Sequence, residues 1–568
     1  MFGFQKSMPK KLAVLASVAA IAMLSQTING SLKAPIRVNP QTRLMEDSHG
    51  RSIIFHGVNV VYKVDPYIPQ NDKFDSQLSL TDEDIDNLVK WGFNFVRLGV
   101  MWEAVERSPG VYNLTYLAEV EKLINKMGEK GIYTLVDAHQ DVFARHICGE
   151  GFPDFYAADN VLDHECKGGI LPWLASVVGI CKSIKSYGYR YDSNGDPLIQ
   201  DCQKNNFAMY YPSAESISGF QRLYDNVDGF QDKFIAYWAQ VAQFYAKNPY
   251  VLGYDPLNEP FPSNIFQDPT LILEPGKFDR DMLQPMYKRA YEEYYKADNS
   301  KIMFFEPAEF PDEIGILGGF VFNLGFTEPP GGAQNKSTHI LNDHTYCCQL
   351  SADMCATGEP DISKAAECKA WHQQRIGTRV QDAQRYEIPL FISEFGACLN
   401  GSACIQEINS VTDTCDDNLV GWAYWQFKNF ADLTTSAGTA SEGFYNFDGT
   451  LQDGKVRALA RTYLQATQGV LTSQNFNTQN GTFKATFQVN TTISEPTIIY
   501  WSQEYWYPQG FNMKLVDTQT GKQLSLNQDF QLNQSKKQYS QLLITNSELQ
   551  GHLISMQLDP KFIFEVQE

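Results

Sequence analysis

The sequence predicts an α/β protein: a (β/α)8 TIM barrel followed by a C-terminal antiparallel β-sandwich domain. Three observations carry that expectation. Between about residues 50 and 470, eight β-type runs alternate with segments whose apolar residues recur at helical spacing. Several of those runs end in polar or charged side chains, as strands do when their C-terminal ends build a site at one face of a barrel. Beyond residue 470 the helical spacing gives way to short alternating strands, roughly ten residues apart, with Asn, Gly and Pro between them.

Residues 52–62 read as the first strand and Phe93-Asn-Phe-Val-Arg-Leu-Gly-Val100 as the second. Residues 114–130 then read as a helix, because Leu117, Val120, Leu123, Ile124 and Met127 share one face and Gly131 ends it. The third strand is Tyr133-Thr-Leu-Val-Asp-Ala-His139. An insertion of about 140–230 follows, then a helix over 230–247. The fourth strand begins at Val251 and runs towards Glu259. Residues 301–305, 338–346, 388–394 and 421–427 supply strands five to eight, and 455–467 is expected to close the barrel as a helix. Residues 482–489, 497–501, 512–516, 541–545, 552–558 and 562–566 read as sandwich strands. The organisation expected is a signal segment over 1–30, a barrel over 31–470 and a sandwich over 471–568.

Bulk properties narrow the class. The 568 residues are 43% hydrophobic, 20% charged and 13% aromatic, the composition of a folded globular protein. A formal charge of −20 argues against nucleic acid as a partner, since a phosphate backbone demands a basic surface. Lys6, Lys10 and Lys11 precede an apolar run from Leu12 to Leu24, with Asn29-Gly-Ser31 after it. That pattern is expected to be a secretory signal, in preference to a membrane anchor, because the run is short for a bilayer span. Its removal would take away three lysines and no acid, leaving a charge of −23. Eleven cysteines, all between Cys148 and Cys415, suit an oxidising compartment. The odd count leaves at least one without an intrachain partner. Cys398 and Cys404 are placed to pair across a short Asn-Gly-Ser loop, while adjacent Cys347 and Cys348 stay unassigned. No paired C-x-x-C motif supports zinc, and no metal or cofactor is expected. Six N-x-S/T sequons beyond the signal segment, at Asn113, Asn335, Asn400, Asn480, Asn490 and Asn533, point with the signal to a glycoprotein, secreted or delivered to an endolysosomal or digestive lumen.

The chemistry lies at the strand ends. Glu259, in Val251-Leu-Gly-Tyr-Asp-Pro-Leu-Asn-Glu-Pro260, and Glu394, in Ile388-Pro-Leu-Phe-Ile-Ser-Glu-Phe-Gly396, each close an apolar run. Desolvating an unpaired carboxylate is costly, so two such ends require a reason. Two carboxylates facing each other across a barrel mouth are what a glycosidase needs: one to protonate a leaving oxygen, one to attack the sugar carbon. Arg97, His139, Asp141, Asn258, His344, Tyr346 and Trp425 close other runs at the same face. Each alone could be structural; together they describe a site.

These residues resemble glycoside hydrolase clan A, and within it family 5. Asn258-Glu259-Pro260 resembles that family's acid/base signature and Ser393-Glu394-Phe395-Gly396 its nucleophile signature. Arg97, His139, Asn258, His344, Tyr346 and Trp425 match its supporting set, over about residues 35–470. Gly57-Val-Asn-Val-Val-Tyr-Lys63, Asp137-Ala-His-Gln-Asp-Val-Phe-Ala-Arg145 and Gly149-Glu-Gly-Phe-Pro-Asp154 resemble the endoglycoceramidases, which cut between a glycan and ceramide. The resemblance implies that Glu259 is the acid/base and Glu394 the nucleophile of a retaining double displacement. It implies further that Lys63, His139 and Asp141 bind the sugar next to ceramide. It also implies a glycosphingolipid substrate met at a membrane or micelle surface, a monomer, and no cofactor. In the insertion, Phe143, Phe152, Phe155 and Tyr156 and the nearly continuous apolar run 170–180 are candidates for receiving the lipid. Two other readings fit the same residues. One is a family 5 β-glucosidase or glucanase acting on glucosylceramide, a steryl glucoside or polysaccharide. The other is a non-catalytic secreted glycolipid-binding protein, against which the presence of both carboxylates counts.

Overall fold

The computed structural model describes residues 35–160, 181–308, 321–350, 361–430, 433–434, 442–536 and 538–561. The expected signal segment, the apolar run 170–180 and the expected strand 562–566 lie outside the described residues.

Eight parallel strands close a barrel in chain order: β1 (His56–Val60), β2 (Phe95–Gly99), β3 (Tyr133–Asp137), β4 (Val251–Asp255), β5 (Ile302–Phe305), β6 (His339–Thr345), β7 (Leu390–Phe395) and β8 (Gly421–Tyr424). The outer helices include α1 (Asp82–Lys90), α2 (Leu114–Glu129), α3 (Phe230–Tyr245), α4 (Gln284–Ala297), α5 (Ala365–Tyr386), α6 (Ser402–Asn418) and α7 (Asp453–Leu459). Thr81 starts α1 with a capping box, its side chain accepting from Asp84 N–H while Asp84 accepts from Thr81 N–H.

Side chains alternate across each strand, so every second residue enters the lumen. The lower lumen is filled by Phe95, Tyr133, Leu135, Ile302, Phe304, Ile340 and Phe391, one apolar cluster with Ile36, Val38, Met45 and Ile53 beneath it. Continuing the same alternation upward, the inward positions turn polar: Asn59, Arg97, Asp137, Asp255, Glu306, Asn342 and His344, all at most 2% exposed. The barrel is therefore an apolar plug with a charged layer above it, at the strands' C-terminal ends.

Two sheets form the second domain. One contains β9 (Tyr463–Thr467), β12 (Thr497–Tyr500), β15 (Tyr539–Ile544) and β14 (Phe530–Lys536), and the other β10 (Gly469–Phe476), β11 (Phe483–Val489), β16 (Leu553–Pro560) and β13 (Phe511–Asp517). Their inner faces share one core, with Leu464, Ile499 and Leu542 from the first and Phe483, Phe487, Ile554 and Met556 from the second. Three short N-terminal strands, Arg37–Asn39, Leu44–Glu46 and Ser52–Ile53, extend the first sheet. Residues 52–62, expected as one strand, consequently divide. Ser52 and Ile53 pair antiparallel with Thr467 and Ala466, and the chain enters the barrel only at His56. The helix expected over 455–467 stops at Leu459, and Tyr463–Thr467 is a strand. Val456, Leu459, Tyr463 and Leu464 have helical spacing, but Tyr463–Thr467 lies between two sheet partners, and pairing overrides local pattern.

The domains are joined at the end of α1. Tyr539 Oη donates to Val89 O at 2.9 Å, Tyr500 Oη to Lys90 O at 3.1 Å and Tyr463 Oη to Gly92 O at 2.7 Å. Carbonyls at the helix terminus thus receive donors from the sandwich, Val89 O in addition to Gly92 N–H at 3.1 Å. The triple Tyr→Phe variant at these positions should lose roughly 3 kcal/mol, about 1 per hydrogen bond. An unchanged urea-unfolding midpoint would contradict that role.

Cys398 pairs with Cys404 as expected, Cys148 with Cys202 and Cys347 with Cys368. Cys181 and Cys348 are also disulfide-bonded. Buried Cys415 is the free thiol among the described residues.

Candidate active site

Arg97 organises the charged layer. From the lumen side of β2 its Nε donates to Asp255 at 3.0 Å. Its Nη1 reaches Asn59 at 3.2 Å and Glu394 at 2.5 Å. Its Nη2 reaches Asp137 at 3.1 Å, Asn258 at 2.8 Å and Glu306 at 3.0 Å. A fully buried guanidinium is tolerated because its fork of donors is matched by carboxylates and amides.

Glu394, at the end of β7, accepts from Arg97 through Oε1 and from Tyr346 Oη, at 2.9 Å, through Oε2. Gly396 lets the chain turn directly after it. Its φ is +102°, and a Cβ there would lie 2.2 Å from the Tyr424 ring. Glu259 follows β4 and has φ +40°, a left-handed conformation costly for a non-glycine residue. It is held there by Glu259 N–H donating to Glu306 Oε2 at 2.8 Å and by Gln140 Nε2 donating to Glu259 O at 3.2 Å. Its Oε1 meets His344 Nδ1 at 2.7 Å. Burial pushes the Glu259 carboxyl up from its ordinary range, more than the His344 contact pulls it down, and the negative charge of Glu394 adds to the rise. Burial works against a charged His344, but the carboxylates of Glu306 and Glu394 outweigh it and raise its pKa well above the usual value.

One carboxylate oxygen from each glutamate and the His344 nitrogen all lie within 4.8 Å of one another. Retaining glycosidases hold their carboxyl groups about 5–5.5 Å apart, inverting ones roughly 6.5–9.5 Å. The pair falls with the retaining class.

Beside it, His139 Nδ1 contacts Asp137 at 2.8 Å and His139 Nε2 faces Asp141 at 3.4 Å. Burial opposes charging of His139, but Asp137 and Asp141 raise it to about 9. Lys63 Nζ binds Asp141 at 2.5 Å and lies 4.8 Å from the Trp425 ring centroid. Trp425 stacks on His139 at 5.2 Å and donates through Nε1 to Glu442 at 3.2 Å. All ten residues expected at the site from sequence thus gather at one face. Asn258 is already engaged at both ends, accepting from Arg97 and donating to Gln140 O at 3.0 Å. The insertion's described aromatics differ from expectation. Phe143 and Phe152 stack on each other at 4.3 Å and pack inward against Phe230, where burial takes their apolar surface from water.

Glu306 is the principal residue that sequence reading missed. It stands one residue beyond the run 301–305, in the lumen parity of Ile302 and Phe304, and shows the same strand-end signal as Glu259 and Glu394. It receives Arg97 and Glu259 N–H and lies 3.4 Å from His344 Nε2. Burial favours its protonated form, but His344 and Arg97 prevail and hold it down to about 2, while burial and Glu306 raise Asp255. Glu306→Gln should cut kcat/KM by roughly 10–100-fold, the loss of a charged hydrogen bond worth about 1.5–3 kcal/mol. It should also move the alkaline limb of the pH profile upward. His344 would lose its strongest anionic neighbour and become neutral at lower pH, so Glu259 would hold its proton to higher pH. An unshifted limb would make Glu306 merely structural.

Fold and site together are those of a barrel glycosidase, and the family comparison agrees. The chain matches the model for cellulase (glycosyl hydrolase family 5) over residues 49–168 and 188–431, and that for the glycoside hydrolase family 5 C-terminal domain over 461–556. It belongs to glycoside hydrolase family 5. It is similar to an endoglycoceramidase of Hydra vulgaris, 28% identical over 549 residues, covering 96% of this chain and 93% of the relative. An endoglycoceramidase of Cyanea nozakii is 29% identical over 514 residues, covering 90% and 93%. Among solved structures, endoglycoceramidase II from Rhodococcus sp. in a ganglioside GM3 complex shares the fold, with TM-score 0.66 and 19% identity over 91% of this chain and 99% of that one.

Proposed function

We propose that this protein is a retaining endo-glycosidase that hydrolyses the β-linkage between oligosaccharide and ceramide in glycosphingolipids. The observation that carries it is the Glu259–Glu394 pair at retaining distance. The names of the Hydra and Cyanea relatives support the aglycone. On the far side of Lys63 a cavity of about 850 Å³ opens between the loops after β1, β2 and β3.

In this reading Glu394 attacks the anomeric carbon, the bond from that carbon to the ceramide oxygen breaks, and the Glu259 proton passes to that oxygen. Water then attacks the glycosyl-enzyme, giving its proton to Glu259 and freeing Glu394, with configuration retained. Arg97 and Tyr346 hold Glu394 aimed, and Trp425 offers a stacking face to the sugar. Incubation with lactosylceramide should release intact lactose and ceramide, with the β-anomer formed first. Stepwise monosaccharide release, or an inverted first anomer, would overturn the proposal.

A lipid surface is the proposed meeting place. Ile199, Met209, Leu273, Ile362 and Phe447, each at least 41% exposed, all lie in the segments that follow barrel strands, the first four in short helical turns. We propose action as a monomer. We also propose a secreted or lumenal glycoprotein. The disulfides support an oxidising compartment, and the sequon at Asn400 is exposed.

A further inference from the structure

We propose that one face of α5 is a positioning device for the catalytic carboxylates, with Trp371 as its principal member. The inference rests on the endo-glycosidase reading and deepens it, by naming residues that act on Glu259 and Glu394 through others. Cys368, Trp371, His372 and Arg375 recur at i, i+3, i+4 and i+7, so they share one side of the helix. Each engages a different member of the consecutive run His344 to Cys347.

Arg375 Nε donates to His344 O at 2.6 Å, and its Nη2 to Asp343 at 2.7 Å. His372 Nδ1 meets Thr345 Oγ1 at 2.7 Å, and its Nε2 meets Glu407 of α6 at 2.7 Å. Trp371 Nε1 donates to Tyr346 O at 3.0 Å. Cys368 is disulfide-bonded to Cys347, whose N–H donates to Glu407 at 3.2 Å. All four helix residues are at most 2% exposed.

The top of β6 needs this support. Its registered pairs with β5 end at Leu341, while those with β7 continue to Thr345. Beyond Leu341 the strand has a ladder on one edge, and Tyr346 lies past both. Gln349 Oε1 accepts Tyr346 N–H at 3.0 Å, so both backbone groups of Tyr346 are held by side chains. This short segment points His344 at Glu259 and Tyr346 at Glu394. Side chains alternate along a strand, so His344 and Tyr346 enter the site while Thr345 between them meets α5. The helix thus touches neither carboxylate and sets the aim of both partners, and small misplacements of such groups cost rate.

Trp371→Phe keeps an aromatic ring and removes the N–H to Tyr346 O. Its kcat/KM on lactosylceramide in detergent micelles should fall roughly threefold to tenfold, as alignment by one hydrogen bond is lost. In a Tyr346→Phe background the hydroxyl that Trp371 aims is already absent. There the same substitution should cost less than about twofold, the non-additivity of residues acting through one contact. Thr345→Val keeps the β-branched shape and removes the hydroxyl at His372. It should lower kcat/KM with the same dependence on Tyr346, and it carries the test should Trp371→Phe not fold. Equal losses with and without the Tyr346 hydroxyl, or no loss at all, would overturn the positioning role while wild-type cleavage leaves the endo-glycosidase reading intact. No cleavage by the wild type would overturn that reading, and the positioning with it.

Discussion

Glu394→Ala should reduce kcat on glycosphingolipid by on the order of 10⁴-fold or more, since removing the proposed nucleophile of a covalent mechanism leaves only binding and charge stabilisation. The variant should still fold. Its cavity would admit a small anion such as azide, which would attack the anomeric carbon from the vacated side and give a glycosyl azide of inverted configuration. Glu259→Ala should behave differently. With natural lipid the loss should be comparably severe, because ceramide is a poor leaving group without a proton. With a nitrophenyl glycoside, whose leaving oxygen needs no proton, the first step should be nearly spared. Wild-type kcat/KM should fall as pH rises through the elevated pKa of Glu259, and that limb should vanish for the nitrophenyl substrate. Equal losses for both variants on both substrates would sink the division of roles.

Arg97→Met should have the largest effect on stability, a loss of about 3–5 kcal/mol, because it leaves Asp137, Asp255, Glu306 and Glu394 buried without their shared cation. The pH dependence follows from linkage. Without the guanidinium these carboxyls bind protons more tightly in the folded than in the unfolded chain. The folded variant then holds more protons, so its stability should fall as pH rises above about 4, the ordinary carboxylate range. Urea unfolding at pH 5 and pH 8 should show the deficit to be larger at pH 8. Arg97→Lys should rescue little, since one ammonium cannot serve six acceptors around a planar fork. A variant as stable as wild type at pH 8 would contradict the account.

The strand ends were legible because a charge closing an apolar run is visible in one dimension. Glu259, Glu394, His139 and His344 show that signal; Trp425 closes its run without a charge, and Arg97, read as a strand end, lies inside β2. Asp137, Asp255 and Asn342 were passed over because further residues follow them in their runs, and parallel strands are buried on both faces. With both parities apolar, nothing local says which enters the lumen. Once Ile302 and Phe304 are seen to fill the barrel floor, Glu306 above them is placed. The fate of Phe143 and Phe152 was undetermined for a similar reason: a large ring can cover a lipid or fill a core, and only its neighbours decide.

By itself the sequence determined the eight-strand alternation, the change of texture at the second domain, and the candidate pair of carboxylates with the residues expected around them. These depend on periodicity and on the cost of burying charge, both of which act within a few residues. Only the tertiary structure decided the rest. It brought Glu259 and Glu394 to retaining distance across 135 residues of chain. It joined Ser52–Ile53 to a strand more than 400 residues away, and turned Tyr463–Thr467 from a helix into that strand. Each of these depends on which distant surfaces share a core or a cavity, and that free energy is written in no local window.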